Sequence, residues 1–166
     1  MPGTLVYNRV VYRDVWMRFD LFRNELTVIS LAMPFPIVLN NEKFDYAVLN
    51  ESTIVLTDGG KKSKKKFVEL LKNGNYPVVR QYNVTRTETK TSDNRIINSF
   101  RNKKQYAICI NDIPHTVKNK NAVLKLFPDK RKELNAFAKL HKLNFKYQTA
   151  QFFIDIVNHY ESLTNM

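Results

Sequence analysis

Short stretches of alternating apolar and polar residues, broken by turn-forming residues, run to residue 117, and the period then lengthens from two to about 3.6. Alternation by two sends successive side chains to opposite faces of a strand, whereas 3.6 keeps them on one face of a helix. The first part therefore reads as hairpins and the last part as helices. Val15, Met17, Phe19 and Leu21 alternate with Trp16, Arg18, Asp20 and Phe22. Arg23-Asn24-Glu25 then interrupts before Leu26-Thr27-Val28-Ile29. An earlier strand is expected over residues 5–12. Pro34 and Pro36 bracket Phe35 and confine that stretch to an edge or a loop, because proline has no N–H for a ladder. Residues 44–49 and 53–56 read as strands around Asn50-Glu51-Ser52. Asn73-Gly74 is the clearest hairpin signal, since it supplies the positive φ of a tight turn; it joins residues 67–72 to 76–86. Residues 87–102 are polar and are expected to form a long loop. Residues 106–110 and 113–117 make a last hairpin across Asn111-Asp112.

Beyond Lys118, Asn121 is expected to cap a short helix ending near Phe127. Pro128 and Asp129 suit the first turn of a second helix, with Leu134, Phe137, Ala138 and His141 on one face. A third helix is expected over residues 148–162, with Phe153, Ile156, Val157, Tyr160 and Leu163 as its apolar stripe. Strands first and helices last give an α+β domain: an antiparallel, hairpin-rich sheet followed by two or three C-terminal helices. A length of 166 residues suits a single domain, β-rich over 1–117 and helical over 118–166.

Charge is divided unevenly along the chain. Residues 1–60 hold 5 basic and 7 acidic side chains, and residues 61–104 hold 13 basic and 3 acidic. Lys61, Lys62, Lys64, Lys65 and Lys66 open the basic segment, and Arg80, Tyr82 and Arg86 share one face of a strand within it. Arginines beside tyrosines on a sheet suit a phosphate backbone with stacked bases, so these eight residues are the candidate polyanion or nucleic-acid site. The same charges also serve to keep a loop solvated and edge strands unpaired, and Val78 and Val84 on that face suggest core packing. Anionic lipid headgroups or acidic glycans would answer the same charge, but no lysine-rich amphipathic helix supports membrane insertion.

Catalytic chemistry finds little support. With 4 glycines the chain offers no phosphate-cradling loop. Cys109 is the only cysteine and lies in Ala107-Ile108-Cys109-Ile110, where a thiol acts as a small apolar group. His115, His141 and His159 are scattered. Asp155 and His159 are one helical turn apart, but a metal site needs three or four ligands, so neither metal nor cofactor is expected. Asp14, Asp20 and Glu25 interleave with Arg13, Arg18 and Arg23, which reads as cross-strand ion pairing. Trp16 and the aromatics of the first hairpin are expected in the core; lying outward, they would mark a partner surface. No apolar run is long enough to span a membrane. Met1-Pro2-Gly3-Thr4 shows no basic stretch followed by an apolar one, so no export signal is read.

Two segments carry a family likeness. Tyr12-Arg13-Asp14-Val15-Trp16-Met17-Arg18-Phe19-Asp20-Leu21-Phe22, continuing to Glu25-Leu26, resembles a strand signature of β-rich envelope or exported proteins of bacteroidete bacteria. Phe127-Pro128-Asp129-Lys130-Arg131-Lys132-Glu133-Leu134, with Tyr160-Glu161-Ser162-Leu163, resembles the helical ending of the same group. No reaction or ligand comes with this family. The resemblance implies a periplasmic or exported protein whose upstream signal has been removed, and a non-enzymatic interaction or structural module whose partner is a protein or envelope component. Polyanion or nucleic-acid binding through residues 61–104 is the alternative.

Overall fold

The computed structural model describes residues 2–30, 35–57 and 65–164. Lys61, Lys62 and Lys64 lie outside them. Among the described residues, ten antiparallel strands are followed by three helices, an α+β fold. The strands are β1 (Pro2–Tyr7), β2 (Val10–Asp20), β3 (Glu25–Val28), β4 (Ile37–Val38), β5 (Phe44–Leu49), β6 (Ser52–Thr57), β7 (Lys66–Lys72), β8 (Val78–Lys90), β9 (Ile96–Ile110) and β10 (Ile113–Val117). They pair in the order β10-β9-β8-β7-β6-β5-β1-β2-β3-β4. At its two ends the sheet shows a two-residue strand directly after Pro36 and a strand containing Pro114, both poor templates for further pairing.

Two corrections concern turns. The single strand expected over residues 5–12 is two strands, because Asn8 and Arg9 both take positive φ (53° and 63°) and close a tight hairpin. The loop expected over residues 87–102 is strand through Lys90 and again from Ile96, joined by a short turn. Thr91 holds that turn: its N–H and hydroxyl both donate to the Arg95 carbonyl, at 2.9 and 3.0 Å. Thr85, Thr87 and Thr89 are β-branched and suit extended backbone, although hydropathy carries no alternation there.

One face of the sheet is covered twice. At Asp14, a non-glycine residue at φ 55°, the β1–β2 register shifts; β2 stays paired with β1 through Trp16 opposite Pro2 and from Met17 onward pairs with β3. Met17 and Leu26 then pack with Leu5, Ala47, Leu49, Ile54 and Phe67. Asn24 fixes this flap: its side chain donates to the Phe67 carbonyl at 2.9 Å and accepts the Phe67 N–H at 2.8 Å, the pattern of a strand neighbour.

The second cover is helical. Helix α1 (Lys120–Leu126) is capped by Asn119, whose side chain accepts the Ala122 N–H at 2.9 Å, and not by Asn121 as the sequence suggested. Helix α2 (Arg131–Leu140) begins three residues beyond Pro128. Helix α3 (Thr149–Thr164) buries Phe152, Phe153, Ile156, Val157 and Tyr160. These helices pack on Val78, Ile108 and Val117 of the sheet. Glu161 of α3 ties the Asn73-Gly74 turn to the helix, pairing with Lys72 at 2.7 Å and accepting the Tyr76 N–H at 3.2 Å.

Trp16 is not a core residue. It is 54% exposed, on the side of β2 opposite Met17. Nor does the first hairpin carry the expected cross-strand ion pairs. Asp20 instead accepts the N–H groups of Phe22 and Arg23, both at 2.9 Å, and these bonds with the nearby arginines hold its carboxyl below the ordinary value against slight burial.

Candidate polyanion interface

Strands β8 and β9 pair without interruption from Val78 opposite Ile108 to Lys90 opposite Ile96. Their outer neighbours stop early. Strand β7 accompanies β8 only as far as Arg80, and β10 accompanies β9 only from Tyr106 onward. Residues 81–90 and 96–105 therefore form a two-stranded ribbon beyond the sheet. Ten residues per strand give about 30 Å at the usual rise of ~3.3 Å. Beyond Val84 its residues are exposed, as they are from Ile96 to Lys104. Phe100 steadies it laterally, meeting Phe22 edge to face with centroids 5.6 Å apart.

The candidate residues divide between root and ribbon. Arg80 and Tyr82 sit at the root and are held by Glu69. Arg80 donates twice to the Glu69 carboxylate, Nε at 2.8 Å and Nη2 at 2.6 Å, and Tyr82 and Ser52 each donate at 2.9 Å. The Arg80 guanidinium also lies 5.6 Å from the Tyr82 ring centroid. Burial raises the Glu69 carboxyl, but the bonds from Arg80, Ser52 and Tyr82 outweigh it and hold the group below its ordinary value. Burial and Glu69 together push the Tyr82 phenol up, so it stays a donor. Burial alone would lower Arg80, and Glu69 more than reverses this. A fully satisfied network of this kind fixes side chains and leaves them little freedom to follow a ligand.

Farther out, Arg86 pairs with Glu88 and donates to Asn98 at 2.9 Å. Lys66 borders a cleft with Phe22 and Tyr82. Lys65 borders a cavity on the other face of the sheet, beside Val79 and Cys109. The five described candidates, Lys65, Lys66, Arg80, Tyr82 and Arg86, therefore do not converge on one surface.

The sequence reading passed over Arg101, Lys103 and Lys104 on β9. These are exposed, and among the described residues none of them makes an ion pair or donates a side-chain hydrogen bond, unlike Arg86 and Arg95 with their carboxylate partners. Because of the pleat they alternate: Lys104 opposite Tyr82 faces one way, Lys103 opposite Asn83 and Arg101 opposite Thr85 the other. The ribbon thus offers cations on both faces.

Other candidate chemistry does not assemble. Cys109 is 5% exposed, and burial, with the charge of Asp112, pushes its thiol up, away from a reactive thiolate. His159 stacks on Phe137 with centroids 4.0 Å apart, while Asp155 accepts from Gln151 at 2.7 Å, so the two do not act together. Among the described residues no three His, Cys, Asp or Glu side chains group to hold a metal ion, and no helix is long and apolar enough to cross a membrane. No protein-family model, curated protein or solved structure matches the chain, so the ribbon and its cations are what the molecule itself offers.

Proposed function

We propose that the protein is a non-enzymatic binding module that grips an extended polyanion with the β8–β9 ribbon. One observation carries this reading: the ribbon projects beyond both neighbouring strands with Arg101, Lys103 and Lys104 exposed and without carboxylate partners among the described residues. A two-stranded ribbon is narrow enough to enter a nucleic-acid groove, and unpaired cations on both faces suit a ligand that wraps it. Each phosphate neutralised releases counterions, so binding would be steeply salt-dependent. The resemblance to bacteroidete envelope proteins supports an envelope setting, where the polyanion would be an acidic glycan.

The test is a salt series with heparin and with single-stranded DNA, on the wild-type protein and on the triple variant Arg101→Gln, Lys103→Gln, Lys104→Gln. For three lost contacts on a single strand, the slope of log affinity against log salt is expected to fall by about 2. In an envelope setting heparin is the tighter ligand. Equal slopes for the two proteins would refute the grip.

A further inference from the structure

Phe100 lies on β9 directly opposite Arg86, and Phe22 lies in the turn between β2 and β3. Their rings meet at 78° with centroids 5.6 Å apart, yet 47% of Phe22 and 59% of Phe100 stay exposed. The pair is thus a corner of two flat apolar surfaces, each fixed by the other and partly open to solvent. By the register, Arg86 and Glu88 of β8 and Asn98 and Lys104 of β9 share the face of the ribbon that carries Phe100. Lys104 stands four residues along β9 from Phe100, about 13 Å at the usual rise. Phe22 also borders a cleft of about 250 Å³ with Tyr82 and Lys66, so the corner adjoins a hollow on the side of the ribbon's root.

The polar groups beside the rings set what the corner takes. Arg86 pairs with Glu88 and donates to the Asn98 side-chain oxygen at 2.9 Å. Both partners are exposed, which leaves the Asn98 amide N–H groups to donate and the second Glu88 oxygen to accept. We infer that this corner is a sugar subsite, taking an uncharged pyranose unit of an acidic glycan held by the ribbon. The C–H groups of a pyranose lie flat against the negative face of a phenyl ring, and the hydroxyls on its rim both donate and accept. Every nucleotide of a nucleic acid instead brings a phosphate, a like charge for Glu88. A glycan whose charged and uncharged units alternate places an uncharged ring here and its charged neighbours at the cations of the ribbon. The inference rests on the polyanion reading, and its test separates the two.

The experiment titrates the wild-type protein and Phe100→Leu at fixed salt with three polymers. Hyaluronan oligosaccharide alternates glucuronate with an uncharged sugar, inorganic polyphosphate carries charge without rings, and oligothymidylate carries charge with bases. Leucine keeps an apolar contact for Phe22 and removes the flat ring. The substitution is expected to weaken hyaluronan about three- to tenfold and to leave polyphosphate unchanged. An unchanged affinity for hyaluronan, or equal losses for hyaluronan and polyphosphate, would mean that Phe100 only steadies the ribbon; either overturns the sugar subsite and leaves the grip on polyanions standing. A loss for oligothymidylate as large as that for hyaluronan assigns the rings to nucleobases and also overturns it. If the wild-type protein binds polyphosphate but not hyaluronan, the subsite fails alone. If it binds none of the three, the ribbon reading fails and the subsite falls with it.

Discussion

Phe153→Ala is expected to destabilise the protein by about 3–5 kcal/mol, the usual cost of removing a fully buried phenyl ring. Phe153 lies on α3 with no exposed surface. Its ring meets Tyr106 of the sheet at 5.3 Å, and Phe145 and Phe152 at 5.5 and 6.1 Å. The substitution therefore empties the joint between the helical cover and the base of the ribbon. The surrounding rings are held by one another and by β9, so the space cannot close freely, which places the cost toward the upper part of that range. Urea denaturation checks this through the midpoint, with Leu140→Ala as a control. Leu140 is 78% exposed and is expected to change stability by no more than ~0.5 kcal/mol. A loss below ~1 kcal/mol for Phe153→Ala would mean that α3 does not cover the sheet as described.

Glu69→Ala comes next, at about 3 kcal/mol at neutral pH. Removing one partner of a buried pair strands the other, which costs roughly 3–5 kcal/mol; the lower end applies because the Arg80 side chain keeps 20% of its exposure and can reach water. Tyr82 and Ser52 lose their acceptor as well. The effect depends on pH with a definite sign. Glu69 is held below its ordinary value of 4.5 in the folded protein. Its contribution is complete above the unfolded value and is lost as pH falls through the lower folded one. The gap in stability between wild type and Glu69→Ala is therefore expected to narrow in urea titrations taken below pH 4.5. A gap that is constant from neutral pH to strongly acidic pH would contradict the network.

Much of the fold was legible because turn chemistry and periodicity agreed. Asn73-Gly74 and Asn111-Asp112 mark real hairpin turns, and the stripe through Phe153, Ile156, Val157 and Tyr160 is buried on α3. What escaped notice had weak local signals. Arg9 at positive φ is an uncommon turn residue. In residues 85–90 threonines alternate with charged residues, so both faces are polar and hydropathy is silent; only β-branching speaks for a strand there.

The root network was hidden by a register shift. A regular hairpin continued from Lys72 opposite Val78 would place Glu69 opposite Gln81. The irregularity between Leu70 and Lys72 moves the pairing by one residue and sets Glu69 opposite Arg80. Sequence alone could put Arg80 and Tyr82 on one face, but not show that a carboxylate from the neighbouring strand ties them down. Nor do the exposed cations of β9 receive a facing direction from the sequence: Arg101 falls in the polar stretch expected as a loop over residues 87–102, and Lys103 and Lys104 fall between it and the strand expected from Tyr106.

The central claim is that the ribbon, and not the net charge of +12, provides the grip. The direct test shortens it by joining Val84 to Asn102, which are opposite one another, through an Asn-Gly turn. The excised residues 85–101 carry a net charge of +2. The charge-matched control is Lys125→Gln with Lys132→Gln, two exposed helical lysines. With heparin at fixed salt, the shortened protein is expected to keep its melting temperature and to bind at least about tenfold more weakly than the control. Equal affinities for the two proteins would show that charge alone attracts the polyanion and would contradict the ribbon as the binding element.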